Sequence, residues 1–376
     1  MKICFWGNIA SALNGKTYGG GEWQIALLAK ALAVAGHEVI VIDYNASEDL
    51  ITKDGIHVYK INGWNKGIPI LRTITHRLPK LYQSLKAQKA DVYYCRIRDF
   101  RHILAYWAAR KVKAKFVLGL ASNLDISGFS KRFKYQYITS PKNLWNLFSS
   151  IMIEIIQPFL IKNADYILVQ HANQKKFLQR KNICSKILPN LFDNPEIMNF
   201  PVQNSQYFIH VGALDKRKGF IDFFKLIERT PFYQYKIIGL PRDKSTLFYY
   251  DKLKSFKNVR LLGRLKHSKV IQEISQSKAL IFTSPMEGFP NVFIEAWACG
   301  IPVLSLFFDP GVIEQEKLGI VANGNLERLV QEMETISSSE EFVKRSRLYV
   351  KKYHVLDKSK IEEIDQIFTG ILNCPN

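Results

Sequence analysis

Residues 279–306 read ALIFTSPMEGFPNVFIEAWACGIPVLSL. The apolar run at the start predicts a buried strand that ends at Thr283. The helix that follows is predicted to begin with Pro290, at a position where a missing N–H group costs nothing, and to end at Gly300. A second apolar run comes directly after it. This order of strand, helix and strand is typical of a parallel sheet covered by helices.

Two acids mark this stretch, Glu287 in the loop and Glu295 inside the helix. Eight helical residues span ~12 Å, which is an upper limit for their separation. That separation suits a ligand with hydroxyl-bearing rings at both ends of a diphosphate, with the amides of Gly288 and Phe289 facing the phosphates. In the alternative, Glu287 caps the helix and Glu295 lies on its solvated outer face. We favour the ligand because Glu295 is the only acid in a largely apolar helix.

The same alternation of short apolar runs and helical periods extends along all 376 residues and predicts an α/β fold. A chain of this length favours two domains. Residues 188–206, rich in Pro and Asn, are the predicted linker between two series of strands. We therefore expect two doubly wound Rossmann-like domains, residues 1–195 and 196–376, which face each other across a cleft. A helix at about 358–372 is expected to pack back on the first domain.

The charge of the chain is strongly positive, with 53 basic and 33 acidic side chains and a formal net charge of +20. Residues 1–200 hold 28 of the basic and 13 of the acidic side chains, so an anionic partner should meet this half first. The five cysteines form no CxxC or Cys/His cluster, which indicates a reducing compartment and no structural zinc. No export signal is evident, and the longest apolar stretch is broken by Glu154 and Pro158. We expect a cytoplasmic protein without a membrane span.

Two phosphate-type signals lie near the N-terminus. Residues 10–17, ASALNGKT, match a relaxed P-loop pattern, which gives the alternative of an ATPase that uses Gly15, Lys16 and Thr17. A P-loop opens a helix at this point, whereas here Tyr18 and three glycines follow and disfavour a helix. The second signal is that glycine run at the start of the next helix, whose amides suit an anion. A glycine-rich turn without a ligand is the equal alternative.

A third signal, VGALDKRKGF at residues 211–220, follows the first strand of the second domain. Lys216, Arg217 and Lys218 can reach over the carboxyl edge of that sheet, where doubly wound folds bind ligands. We expect phosphate contact there.

Cations and aromatic residues alternate at residues 131–145, KRFKYQYITSPKNLW, and an apolar helical segment follows. Together they suit peripheral contact with an anionic membrane surface and a lipid-linked acceptor. A solvated charged face beside a core helix is the alternative. Nucleic acid has no supporting motif in the chain and is not expected as a partner.

These segments together resemble the retaining glycosyltransferases of family 4, the glycosyl transferases group 1, which have the GT-B fold. The resemblance is carried, in order, by GGGE at 19–22, IALLAKALAVAGHEV at 25–39, ADYILVQHANQKKFL at 164–178, LPNLFD at 188–193, HVGALDKRKG at 210–219 and EGFPNVFIE at 287–295.

The resemblance implies a UDP- or GDP-sugar donor bound mainly by the C-terminal domain, while the N-terminal domain holds the acceptor. It places Glu287 near the sugar hydroxyls, Glu295 on the ribose and Lys218 on the diphosphate. The further candidate donor contacts are Gly288, Phe289, Asn291, Arg217, Gly20 and Gly21. The family often has Arg where this chain has Ala213, so Arg217 or Lys216 is expected to compensate.

The family also often carries a histidine after an N-domain strand, where this chain has Ser122, Asn123 and Asp125. Asp125 is the candidate catalytic residue in that place, and His102 and His171 are expected to be structural or surface residues. The chain has no Asp-x-Asp pair, so we expect no metal and no other cofactor. The implied activity is transfer of a hexose-type sugar, with retained anomeric configuration, to a glycan or lipid-linked acceptor in bacterial surface polysaccharide synthesis.

Overall fold

The computed structural model describes all residues except 16–18, 47, 69–70, 128–143, 202–204 and 374–376, and the side chains of Leu144 and Asn146. The described residues form two compact units. The first unit contains the chain up to Asp193 together with the residues from Leu356 onward, and the second contains Asn194–Val355. The last helix thus belongs to the first unit.

The first unit is built on an eight-stranded sheet. Its strands are β1 (Lys2–Trp6), β2 (Glu38–Asp43), β3 (Leu50–Ile51), β4 (His57–Lys60), β5 (Val92–Arg96), β6 (Lys115–Gly119), β7 (Tyr166–Val169) and β8 (Lys186–Ile187). They lie in the order β3-β4-β2-β1-β5-β6-β7-β8, and only β3 is antiparallel to its neighbour. Chain order therefore changes direction between β1 and β5, which is where doubly wound sheets open a crevice.

Helices cover both faces of this sheet. They are α1 (Ala10–Leu13), α2 (Gly20–Val34), α3 (Leu78–Ala87), α4 (His102–Val112), α5 (Leu144–Asn163), α6 (Ala172–Gln179) and the helix Lys358–Leu372. Alternate residues of β1 enter opposite layers, as the period of a strand requires. Phe5 belongs to the same buried cluster as Leu28 and Phe368, and Trp6 belongs to a second cluster that contains Leu160.

The second unit has a six-stranded, wholly parallel sheet. Its strands are β9 (Tyr207–Val211), β10 (Gln234–Ile238), β11 (Val259–Gly263), β12 (Ala279–Phe282), β13 (Val303–Ser305) and β14 (Gly319–Val321). The order is β11-β10-β9-β12-β13-β14, so the change of direction falls between β9 and β12. Both ligand signals of this unit, VGALDKRKGF and EGFPNVFIE, follow these two strands.

In the described residues of the second unit, four helices connect successive strands, and two more follow β14. They are α7 (Phe220–Arg229), α8 (Lys244–Leu253), α9 (His267–Ser275), α10 (Asn291–Ala298), α11 (Leu326–Thr335) and α12 (Glu340–Tyr353). The helix Lys358–Leu372 of the first unit is α13. The α/β fold with two doubly wound, mainly parallel sheets is confirmed.

Some predicted boundaries differ from the structure. Helix α2 begins inside the glycine run, at Gly20, because Gly19 has an extended backbone and its carbonyl oxygen accepts the first helical hydrogen bond, from the N–H of Trp23. Pro290 has an extended backbone too, so α10 begins at Asn291 and Pro290 is the residue before it. None of the helices in the described residues is both long and apolar enough to cross a bilayer.

Candidate functional site

The candidate donor site lies at the carboxyl ends of β9 and β12. After β9 the chain forms a short 3-10 turn, Lys216–Lys218, and the carboxylate of Asp215 accepts the backbone N–H of Lys218 at 2.9 Å. Gly219 follows with φ +70° and leads into α7. A Cβ atom on Gly219 would lie 2.0 Å from the carbonyl oxygen of Thr283 at the end of β12. The glycine thus allows the two loops to touch.

This contact brings Lys218 and Glu287 together. The Nζ of Lys218 donates a hydrogen bond to Oε1 of Glu287 at 2.5 Å, and the hydroxyl of Ser284 donates to the same oxygen at 2.6 Å. Within the described part of the chain no hydrogen bond reaches Oε2 of Glu287. The Lys218 side chain is 40% exposed, against 16% for Glu287. The ammonium is therefore accessible to a ligand, and one carboxylate oxygen can accept a hydroxyl.

The helix-capping alternative for Glu287 is wrong. Among the described residues no hydrogen bond joins the Glu287 carboxylate to the start of α10, and Lys218 and Ser284 donate to it instead.

Glu295 lies on α10 and points to the start of α9. Its Oε1 accepts a hydrogen bond from Nε2 of His267 at 2.9 Å. The Glu295 side chain is only 15% exposed, so it does not lie on a solvated outer face, whereas His267 is 52% exposed. His267 follows the end of β11 and adds a third loop to the same edge of the sheet.

The other predicted donor contacts take different places around these acids. Gly288 is buried, and the ring of Phe289 packs against Trp297 and His354 with centroids 6.1 and 5.0 Å away. Asn291 opens α10. The Phe289 side chain therefore anchors the loop in the core.

The basic residues that follow Ala213 lie close to acidic side chains of the same unit. A guanidinium nitrogen of Arg217 lies 3.4 Å from the carboxylate of Asp215, and the backbone N–H of Lys216 lies 3.4 Å from that of Asp243. Compensation for Ala213 by Arg217 or Lys216 stays a prediction.

In the first unit, Gly20 and Gly21 form the first turn of α2. Gly20 is exposed, and a Cβ atom on Gly21 would lie 2.8 Å from Cδ1 of Ile97. Gly21 therefore lets the helix start pack against the loop after β5. An anion contact at these amides stays a prediction.

The P-loop alternative finds no support. Lys16 and Thr17 lie outside the described residues. The amides of Ile9 and Ala10, at the start of the segment, both donate to Oδ2 of Asp43 at 2.8 Å. These two amides are thus bonded to a buried carboxylate and do not face an anion. Burial raises the pKa of this carboxyl, and the backbone amides oppose that rise.

Asp125 lies in a capping box at the start of a 3-10 helix, Asn123–Ile126. Its Oδ2 accepts the backbone amides of Ala121 and Ser122 at 2.7 and 2.9 Å, and the residue is 1% exposed. Burial raises the pKa of the Asp125 carboxyl, while Arg98 and the amides lower it. The predicted catalytic role therefore belongs to a carboxylate with a structural function, and it stays untested.

His102 and His171, expected to be structural or surface residues, are both buried. Desolvation lowers the pKa of each to about 4. Most of the basic segment 131–145 lies outside the described residues, and only α5, which follows it, can be placed.

Sequence reasoning missed the partners of the site residues: Asp215, Asp243, His267 and Ser284. Ser284 and Asp215 lie three residues from Glu287 and Lys218, and a search for short-range pairs could have found them. His267 is 28 residues from Glu295, and no local pattern connects the two.

Comparison with known proteins matches both units to family models. The model "Glycosyl transferases group 1" matches residues 196–353, and "Glycosyltransferase Family 4" matches residues 18–193. A glycosyltransferase of Haemophilus influenzae is 28% identical over 97% of this chain and 98% of its own. One of Methanocaldococcus jannaschii is 31% identical over 42% of this chain, and the match spans 43% of that protein.

Solved structures share the fold over nearly the whole length. Sucrose-phosphate synthase from Thermosynechococcus elongatus has a TM-score of 0.71 at 16% identity, with 99% of each chain covered. HepE of Anabaena, solved in complex with UDP, has a TM-score of 0.65 at 15% identity, with 99% of this chain and 100% of that chain covered. The two family models together account for most of the sequence, so the chain has the GT-B fold and belongs to the family 4 glycosyltransferases of group 1 type.

Proposed function

We propose that this glycosyltransferase moves a hexose from UDP- or GDP-sugar to a glycan or lipid-linked acceptor in surface polysaccharide synthesis, with retained anomeric configuration and without a metal. The observation that carries the proposal is the hydrogen bond between Lys218 and Glu287 at the switch point of the second sheet. It puts a cation and a hydroxyl acceptor beside each other where a sugar diphosphate needs both.

The charges fit the departure of a nucleotide diphosphate. The leaving group gains negative charge in the transition state, and a prepositioned ammonium stabilises that charge. Lys218 supplies it, and Oε2 of Glu287 can orient the sugar by accepting a hydroxyl. Glu295 and His267 form a second polar pair on the same unit that suits the ribose hydroxyls. The bond between the anomeric carbon and the phosphate oxygen breaks, the acceptor hydroxyl attacks that carbon from the same face, and its proton passes to the departing diphosphate.

The choice of a UDP-sugar is supported by the comparison with HepE of Anabaena, which was solved with UDP. Metal independence rests on the lack of an Asp-x-Asp pair in the sequence. Transfer unchanged by EDTA, and product of the donor's anomeric configuration by NMR, are the expected results.

The first test is a thermal-shift screen with UDP, GDP and their sugars, because a ligand that binds the folded state raises apparent stability. Glu295→Ala should weaken nucleotide binding strongly. Lys218→Ala should lower the transfer rate about 10²–10³-fold, the usual cost of losing one charge-stabilising group. Glu314→Gln, on an exposed acid of the same unit, is the matched control. A folded protein that responds to none of these nucleotides would disprove the proposal.

We further propose that the protein works peripherally at the cytoplasmic face of an anionic membrane. The surplus of basic residues in positions 1–200 and the apolar residues exposed on α5 support this. Flotation with vesicles of phosphatidylcholine and phosphatidylglycerol should recover the protein at low salt and lose it at high salt. Absence of salt-sensitive binding would remove the membrane contact.

A further inference from the structure

A cavity of about 150 Å³ lies within the first unit, apart from the candidate donor site. Arg98, Asp99 and Arg101, in the loop that follows β5, line it. This loop is at the switch point between β1 and β5, the place where a doubly wound sheet binds a ligand. Cavities of this volume hold a benzene-sized group. The first unit therefore has a ligand-sized cavity of its own.

The cavity wall carries more positive than negative charge. Arg98 is paired with Glu154 at 2.5 Å, and Arg101 with Asp99 at 2.5 Å. Arg77 is paired with neutral groups. Its Nε donates to the carbonyl oxygen of Trp64 at 3.1 Å, and its Nη2 donates to Oδ1 of Asn65 at 2.7 Å. No carboxylate among the described residues forms a salt bridge with Arg77.

The guanidinium of Arg77 lies over the ring of Trp64 at 5.3 Å and close to two further arginines. Burial lowers its pKa, and the positive charges of Arg72 and Arg101 lower it further. An anion in the cavity would relieve this repulsion and could accept both N–H groups of one guanidinium edge. The cavity thus selects for negative charge.

The rim of the cavity is apolar and open to solvent. Trp145, which lines the cavity, begins a row of exposed side chains on α5. The row consists of Trp145, Phe148, Ile151, Ile155 and Phe159. The polar residues Glu154 and Gln157 of the same helix are buried. This is the reverse of an ordinary surface helix, which turns its polar face to water.

A second segment at the cavity has the same character. The segment before Arg77 exposes Ile68, Leu71 and Ile74, and Thr73 and Arg77 from this segment line the cavity. Two segments that contribute to the lining of a cationic cavity therefore both carry exposed apolar side chains. A ligand that satisfies both needs an anionic group attached to an alkyl chain.

We propose that this cavity binds the phosphate group of a lipid phosphate, with the alkyl chain lying along the exposed row of α5. The proposal rests on the proposed transferase function only in making this lipid the acceptor. Trp145 is exposed and adds an aromatic ring beside the headgroup, a position that suits a ligand with one apolar and one solvated end. The occupant is a phosphate-bearing lipid and not a free glycan.

The test measures binding of dodecyl phosphate to the full chain by isothermal titration calorimetry. The probe is kept below its critical micelle concentration. The comparison probes are inorganic pyrophosphate, which has charge and no chain, and dodecyl glucoside, which has a chain and no charge. All titrations contain excess UDP, so that pyrophosphate cannot bind at the diphosphate contacts of the proposed donor site. Dodecyl phosphate should bind at least about tenfold more tightly than either. Pyrophosphate binding as tight as that of dodecyl phosphate would show a site for free phosphate. Equally tight binding of dodecyl glucoside would show non-specific binding to an apolar surface. Either result overturns the proposal.

Variants separate the cavity from the donor site. Arg77→Gln should weaken binding of dodecyl phosphate about tenfold to hundredfold. Arg77→Lys should weaken it by less, because lysine keeps the charge but cannot donate two parallel hydrogen bonds. Phe148→Ser should weaken dodecyl phosphate without changing pyrophosphate binding. UDP and GDP thermal shifts should stay as in the parent protein, which also reports that each variant is folded. Unchanged dodecyl phosphate binding in folded Arg77→Gln would overturn the proposal, whereas missing nucleotide shifts in the parent protein would count against the proposed function alone.

Discussion

Gly219 sets the distance between the loops that carry Lys218 and Glu287. Its φ of +70° disfavours any residue with a Cβ atom, and a Cβ atom there would lie 2.0 Å from the carbonyl oxygen of Thr283. Because that oxygen belongs to the backbone at the end of β12, no side-chain rotation can move it away from the added Cβ atom. The glycine is thus required by conformation and by space together.

Gly219→Ala should therefore destabilise the second unit and separate Lys218 from Glu287. We expect a loss of about 1–3 kcal/mol of unfolding free energy from backbone strain alone, and more from the displaced loop. Urea denaturation and nucleotide thermal shift measure the two effects. Gly370→Ala is the matched control, because it lies in α13 with nothing within 4 Å of the added methyl. Equal stability of the two variants would contradict this account of Gly219.

The individual site residues were predictable where residue type and position coincide. Lys218 and Glu287 each follow a predicted strand, and adjacent parallel strands end at one edge of a sheet, so their meeting follows from the fold. The contact of Glu295 with His267 does not, because it depends on how α9 and α10 pack. Asp125 shows the opposite failure: its residue type fits catalysis, but a local capping box uses its carboxylate.

At the scale of elements, the long buried strands were the most predictable. The sequence analysis places β12 in the apolar run that ends at Thr283 and β9 directly before VGALDKRKGF, because strands buried on both faces read as continuous apolar segments. The two-residue strands β3 and β8 lie at sheet edges and have no such run. Helix α5 was hardest to interpret, since its apolar residues occupy both its buried and its exposed face.

Strand β9 contains a titratable group in its core, and this makes stability depend on pH. His210 is buried, stacks on Phe223 at 4.5 Å and lies 3.3 Å from the carbonyl oxygen of Ile281. Burial lowers its pKa to about 4, whereas an unfolded histidine titrates near ~6.5. Between these values the unfolded chain takes up a proton that the folded chain does not. Unfolding free energy should therefore fall as pH drops from about 6.5 to 4, by roughly 1.4 kcal/mol per pH unit for this residue.

His210→Gln, which keeps an N–H donor and cannot titrate, should flatten that slope by about one proton. Urea denaturation at several pH values measures it, and His57→Gln in the first unit is the control. A slope that His210→Gln leaves unchanged would show that the imidazole does not stay neutral in the fold.

For the whole molecule, the two-unit architecture was predictable because every βα repeat carries its own local signal. The return of the chain from Val355 to the first unit depends on a long-range fit instead. Helix α13 places Ile364, Ile367, Phe368 and Ile371 in the core of the first unit, together with residues of α2. Its spacing predicts a helix with one apolar face, but the partner of that face is separated from it by more than 300 residues.

Phe368→Ala tests this division of the chain. The ring is fully buried and lies 6.2 Å from that of Tyr94, so its removal should cost about 3–5 kcal/mol through lost burial and the remaining cavity. Because the helix belongs to the first unit, calorimetry should show the loss in one transition, while the transition that UDP or GDP shifts upward keeps its midpoint. Leu372→Ala, at an exposed position of the same helix, should change neither transition by more than ~0.5 kcal/mol. If Phe368→Ala lowers the nucleotide-responsive transition equally, the two units unfold as one, and the last helix stabilises the whole chain.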